Sequence, residues 1–437
     1  MIIRRLTPAN RWLEPLLAFL VIAAIAYDIW FIVAIGYVPQ PFFYESQDTW
    51  MDWFNTALYA HQGGAYEDWR TVYLPLSFDV LKLLTLGQCY ESEQFEARAC
   101  DVMAITSMHV IFLANIVLTF FVFRKVDRST AVWRTIAMSL GLPLTYALER
   151  GNLLLLTYTF LLLAYGPLVK SARVRWLFSG LAINMKIYLV GAIFAQLLKH
   201  RWRWFEGSLV ATVLVYLGSY AWLGDGSPFQ IVRNLVDYSS LEITSPLDAW
   251  YAATYVPLTQ ILELSDFPII STLGSDVIEN FVWGLPLVTH LVQATILCAA
   301  LATWISPSKV PTHRAIMLSI GLALITTETG GYTQLLLLPF VFMERWRGVG
   351  RKWAIVAAYI LCIPADIHLQ TLGTFVRDSF VSGREVYADY DIALGHFLRP
   401  GLFMSIPFAL SLVTIREVLL DVRANGLRWR CGPMLTA

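Results

Sequence analysis

Long apolar runs separated by short basic clusters set the rhythm of this chain. Full-length runs cover residues 15–36, 104–123, 152–169, 206–223, 282–303, 353–372 and 400–415, and a shorter one covers 133–148. About 20 apolar residues in helical conformation cross a bilayer core, so each full-length run predicts a membrane-spanning helix. The first run is too long for a signal-peptide core and has no small-residue cleavage site after it, so it reads as a retained span. Two further stretches, 177–198 and 315–343, are apolar overall but broken near the middle. Asn184 and Lys186 interrupt the first; Thr326, Thr327, Glu328, Thr329, Gly330 and Gly331 interrupt the second.

Basic clusters orient the spans, because short cytoplasmic loops carry an excess of Lys and Arg. With Arg4, Arg5 and Arg11 inside, Arg124, Lys125, Arg128 and Arg134 return inside after two spans. Lys170, Arg173 and Arg175 return after four. His200, Arg201 and Arg203 share that side only if 177–198 is a hairpin of two short helices. The same device at 315–343 keeps Lys309, His313 and Arg314 with Arg345, Arg347, Arg351 and Lys352. Arg416, Arg423, Arg428 and Arg430 then also lie inside. The expected fold is an all-α polytopic transmembrane helical bundle of about twelve helices, one domain over residues 1–437, with both termini cytoplasmic. Tilted single spans that tolerate polar residues are the alternative for both broken stretches. Irregular backbone at membrane depth must face protein or water, so the hairpin tips are expected to line a cavity open to the outside.

Composition agrees: 57% of residues are hydrophobic and 15% charged, against about 25% charged in soluble domains. A formal net charge of zero gives no polybasic surface and no nucleic-acid partner. Three extracytoplasmic loops are long, at 37–103, 224–281 and 373–399. The first holds ten acidic and three basic residues. Within it, residues 50–60 form an amphipathic helical pattern, and a second apolar run follows Pro75; such helices are expected on the membrane surface. Cys89 and Cys100 share this loop and could close a disulfide in an oxidising compartment. Cys298, Cys362 and Cys431 read as packing residues. There is no CxxC pair, HExxH, Walker or dinucleotide motif, so neither a metal nor a cofactor is called for.

The candidate chemistry lies in scattered polar residues. Asp48 and Asp52 share one face if their segment is helical, and a carboxylate at an apolar boundary suits a general base; both could equally be solvated loop acids. Glu149, Arg150 and Asn152 form an ERGN run between two apolar stretches, as a self-neutralising pair or as part of a substrate path. Lys186 is a lone base in an apolar segment, so it either snorkels or meets an anion such as phosphate. Glu328 precedes Gly330 and Gly331, which permit a tight turn; it either pairs with a base or binds sugar hydroxyls. His368, Arg377, Arg384, His396 and Arg399 flank the last outside loop.

Over about its first 205 residues the chain resembles the GT-C superfamily of membrane glycosyltransferases, closest to the bacterial polyprenyl-phosphate-mannose-dependent α-mannosyltransferase-like family. The matching elements are Asp48 after the first span, Gly63-Gly64-Ala65-Tyr66, Tyr73-Leu74-Pro75-Leu76, Gly151-Asn152 opening a span, and a Gly180-Leu181-Ala182 helix ending in Lys186 before the basic turn from Lys199 to Arg203. Asp52 stands where an aromatic residue is expected, and Leu74 replaces a proline. Asp52 therefore competes with Asp48 for the role of base. The resemblance implies a polyprenyl-phosphate-linked sugar donor, carrying mannose or another hexose or pentose, and a glycan or glycolipid acceptor hydroxyl outside the membrane. Asp48 or Asp52 would take the hydroxyl proton, with inversion at the anomeric carbon. Lys186 and Arg150 would stabilise the leaving phosphate; Glu149, Asn152, Tyr73 and Glu328 complete the expected donor site. A polysaccharide polymerase or ligase would share the donor but favours Arg-rich outer loops. A secondary transporter would share the broken helices but needs no long acidic loop. Compact loops and the lack of an evident organelle signal fit a bacterial inner membrane.

Overall fold

The computed structural model describes residues 10–42, 44–239, 252, 254–262, 274–326, 330–379 and 381–426. Helix α1 (Asn10–Ile35) leads into a loop region holding α2 (Met51–Gln62), α3 (Pro75–Leu84) and α4 (Gln94–Cys100). Then come α5 (Val102–Val126), α6 (Ala131–Leu140), α7 (Leu142–Glu149), α8 (Leu154–Tyr165), α9 (Ala172–Met185), α10 (Val190–Leu198) and α11 (Trp202–Leu223). The rest comprises α12 (Pro228–Ser239), α13 (Val256–Leu262), α14 (Ser275–Ile305), α15 (Thr312–Thr326), α16 (Leu338–Phe342) and α17 (Val349–Leu361). Strands β1 (His368–Asp378) and β2 (Glu385–Ala393) precede the last described helix, α18 (Leu394–Asn425).

The protein is mostly helical, and α1, α5, α14 and α18 are each long and apolar enough to cross a membrane. Helix α11 and the first part of α12 form a further candidate, bent by 104° between them. These helices expose apolar side chains such as Phe19, Trp30, Leu113, Leu217 and Trp283. In an aqueous domain that would be costly, and in lipid it is the expected surface.

Packing shows how both interrupted stretches run. Any Cβ on Gly180 of α9 would abut Ala211 of α11, and one on Gly207 would abut Trp176. Rising numbers therefore match rising numbers, and α9 and α11 run parallel. The chain must return between them, and α10 is that return. Lys186 sits at the break, outside the helix that ends at Met185. Arg314 and Glu344, 2.6 Å apart, likewise close the second stretch at its base, after α15 rises and α16 descends. At 14 residues, α9 is roughly 21 Å long, too short to cross a bilayer core of about 30 Å. The 152–169 run also shortens, to the 12 residues of α8.

A buried ionic network sits at the base of these hairpins. The Arg134 Nε is 2.8 Å from Glu14, with both side chains about 3% exposed, and its Nη1 donates to the carbonyls of Phe342 and Glu344. Arg314 joins Glu344 to Glu417, and Arg351 also pairs with Glu417. The start of α1 and the far part of α18 therefore lie at the same end of the bundle. Burial alone would raise the Glu344 pKa; hydrogen bonds from His313 and Arg314 and their charges override it, holding Glu344 down at about 2.

The structure changes one expectation and adds to another. The class is not purely α, because the last long loop contains an antiparallel hairpin with Val376 opposite Tyr387 and Phe375 opposite Ala388. The 353–372 run accordingly ends as a helix at Leu361 and enters β1. In the first loop, α2 and α3 form where periodicity places them, and they pack onto the helical bundle. Trp53, Phe54, Leu76, Leu81 and Tyr90 are buried in one cluster with Met108 of α5, Leu156 of α8 and Met185 of α9. Apolar residues occur on more than one side of α2, so packing onto the bundle removes more of its surface from water, at about 25 cal/mol per Å². Cys89 and Cys100 form a disulfide that closes this layer.

Candidate functional site

The turn carrying Asp48 lies at the bundle end opposite the ionic network. Trp50 adopts φ 64°, turning the chain sharply into α2. Gly151 supplies the matching approach from the α7–α8 turn: with φ +65°, any Cβ there would lie 2.8 Å from the Trp50 backbone. Only glycine meets both demands. The Trp50 N–H then donates to the Glu149 carbonyl at 2.9 Å, and the Asp52 N–H donates to the Arg150 carbonyl at 3.1 Å.

This contact brings the side chains together. Arg150 Nη1 lies 3.3 Å from Asp48 Oδ2. Asn152 Nδ2 donates to Asp52 Oδ2 at 2.7 Å, while its own Oδ1 accepts from the Leu154 N–H and so orients the amide. Asn152 is 1% exposed, whereas the Asp48 side chain is 48% exposed. The two carboxylates therefore differ. Asp48 opens to solvent beside one guanidinium, and Asp52 is held from within.

Lys186 approaches from another direction. Its Nζ lies 4.5 Å from the centre of the Tyr73 ring, and the Asp52 charge reaches it. Tyr73 is placed by the start of α3, whose Ser77 hydroxyl donates to Met185 Sδ. The α9–α10 break thus gives the ammonium an aromatic partner instead of burying it alone.

Expected residues Asp48, Asp52, Glu149, Arg150, Asn152, Tyr73 and Lys186 all converge here. Glu328 lies outside the described residues, as do its neighbours Thr327 and Thr329. The second hairpin still lines a small cavity, where Gly331 and Gln334 meet Tyr146, His396 and Arg399. Of the basic residues flanking the last loop, Arg399 pairs with Asp366 at 2.7 Å and His368 with Asp391 at 3.1 Å. Arg377 pairs with Glu45 at 2.5 Å.

Other contributors carry little signal in sequence. Arg98 of α4 donates from Nη1 to the carbonyls of Ser46 and Thr49, at 2.8 and 2.9 Å. It clasps both sides of Asp48, and its own helix is tethered by the Cys89–Cys100 disulfide. Tyr390 of β2 donates to the Tyr44 carbonyl at 3.0 Å. Burial raises its phenol pKa, Arg377 opposes that rise, and the charges of Glu45 and Asp48 reinforce it. The loop acid Asp79 is 4% exposed, and burial pushes its carboxyl up to about 6.

An apolar groove of about 390 Å³ begins at Val190, one turn beyond Lys186. It runs between α10, α14 and α15, past Phe194, Ala300, Leu318 and Leu322. Among the described residues, no three His, Cys, Asp or Glu side chains gather as a metal site would require. No family model, curated protein or solved structure matches this chain.

Proposed function

We propose that the protein is a membrane glycosyltransferase. It would move a sugar from a polyprenyl-phosphate donor to a hydroxyl of a glycan or glycolipid on the extracytoplasmic side. The observation carrying this reading is the meeting of Asp48 and Asp52 with Arg150 and Asn152, drawn from two distant stretches of chain, with Lys186 held on the Tyr73 ring at the α9–α10 break.

Asp48 takes the acceptor proton, because its carboxylate is the open one and a base must reach the hydroxyl it deprotonates. The oxygen forms a bond to the anomeric carbon as the bond to the phosphate oxygen breaks, inverting the centre. The phosphate leaves as an anion and needs positive charge rather than a proton, so one carboxylate suffices. Lys186 and Arg150 supply that charge. Asp52, fixed by Asn152, adds a second negative charge to the site. The isoprenoid chain of the donor lies along the apolar groove that starts at Val190.

The test is transfer from radiolabelled polyprenyl-phosphate sugars into membrane lipid or glycan by wild type, Asp48→Asn and Asp52→Asn. Loss in Asp48→Asn at normal protein levels is expected. Wild-type levels of transfer in both variants would sink the mechanism, and an absence of transfer from every donor would turn attention to transport.

A further inference from the structure

We propose that the β1–β2 hairpin is the acceptor side of this site and seats a pyranose ring beside Asp48, so that the acceptor is a carbohydrate rather than a simple lipid alcohol. This rests on the glycosyl-transfer reading and adds to it where the acceptor sugar sits and which side chains hold it.

The argument starts from strand alternation. Gly373, Phe375 and Arg377 share one face of β1, opposite Tyr390, Ala388 and Val386 of β2. On that face the Phe375 and Tyr390 rings stand 4.7 Å apart. The Arg377 guanidinium lies 5.4 Å from the first ring and 5.8 Å from the second. Arg377 in turn pairs with Glu45, three residues from Asp48. A continuous strip thus runs from Arg150 and Asp48, through Glu45 and Arg377, to the two rings.

A sugar ring has an apolar face of C–H bonds and a rim of hydroxyls. The C–H face meets the negative face of an aromatic ring, and the rim meets charged planar donors and acceptors. Phe375 is 45% exposed and offers its ring, while Arg377 and Glu45 offer the rim partners. A simple alcohol would use neither. Lys186, packed on Tyr73, serves the donor phosphate in the transfer reading, and the hairpin is assigned to the second substrate.

The platform is also held in place, so little ordering remains to be done on binding. Ser379 donates to the Gly36 carbonyl, Tyr44 to the Asp378 carbonyl, and Gln40 to the Asp391 carbonyl. The opposite face carries Asp378, Glu385 and Asp389 beside Val376 and Tyr387. Three acids make that face a poor partner for hydrocarbon.

The experiment uses the full chain in nanodiscs, with radiolabelled polyprenyl-phosphate mannose as donor and octyl α-mannoside or dodecanol as acceptor. Phe375→Ala is expected to raise the KM for octyl mannoside about five- to tenfold, with the donor KM and thermal midpoint unchanged. Phe375→Tyr should keep the wild-type KM, as should Tyr387→Ala on the opposite face. Dodecanol should be a poor acceptor for all variants. An unchanged KM in Phe375→Ala, an equal rise in Tyr387→Ala, or efficient use of dodecanol would overturn the proposal. Calorimetric titration of octyl mannoside without donor separates the two readings. Binding that depends on Phe375 without any transfer keeps the platform and removes the transferase. Binding indifferent to Phe375, or no binding, removes the platform.

Discussion

Asp48 and Asp52 lie one helical turn apart in sequence, yet they meet different partners. Arg150 touches the open carboxylate, and Asn152 holds the inner one. Asp48→Asn should lower transfer about 10²- to 10⁴-fold, the range for a lost general base; Asp52→Asn, which keeps a hydrogen-bonding side chain, should cost much less. Initial rates at saturating donor decide the order. Lys186→Met should lower kcat by roughly 10²–10³ if the ammonium stabilises the departing phosphate, with less effect on donor KM; single-turnover rates separate this from weaker binding. These residues were legible in the sequence because each was a polar group in the wrong surroundings. Lys186 had no partner within its segment, and ERGN broke two apolar runs. Their division of labour was not legible, because it depends on Gly151 admitting the Trp50 backbone across 101 residues of chain.

At the scale of elements, the first loop is a folded layer packed on the bundle. Its disulfide tethers α4, and α4 carries Arg98 to the Asp48 turn. Replacing Cys89 and Cys100 together by serine should cost about 2–4 kcal/mol, read as a lower thermal midpoint, and should reduce transfer more than donor binding. The same layer buries Asp79. Its folded pKa of about 6 exceeds the ordinary 3.8, so the neutral carboxyl is the form the fold prefers. The stability linked to this proton is whole below the ordinary value and lost as pH rises through about 6. Asp79→Asn should therefore raise the melting temperature at pH near 7.5 and leave it unchanged near pH 4. The loop helices were readable from apolar periodicity, but what they pack on was not. The β-hairpin was missed although Val386, Ala388, Tyr390 and Ile392 alternate in β2. A hydropathy window wide enough to find spans averages a period of two away.

Across the whole molecule, charge is sorted by end. One end gathers fully paired ions around Glu14, Arg134, Arg314, Glu344 and Glu417. The other gathers the acids and bases proposed for chemistry. Arg134→Met should destabilise by about 3–5 kcal/mol, because Glu14 is left buried without its partner. The double change with Glu14→Gln should recover much of the loss, and denaturation in detergent compares the two. Basic clusters in the sequence foretold where these ions collect. They could not foretell that the pairs would be buried, since the acids lie far off in the chain, Glu14 120 residues from Arg134 and Glu417 103 residues from Arg314.

The break at Lys186 also bears on how the chain is made. A helix as short as α9, carrying Asn184 and ending at a lysine, is a weak candidate to leave the translocation channel for lipid unaided. The α10 segment contributes Val190, Ile193, Leu197 and Leu198, and it turns back along the path that α9 has just taken. The two halves would enter the bilayer as one bent unit, after ribosomal synthesis has passed residue 198. A nascent chain halted between Met185 and Val190 would accordingly lack the return helix that fixes the break at Lys186.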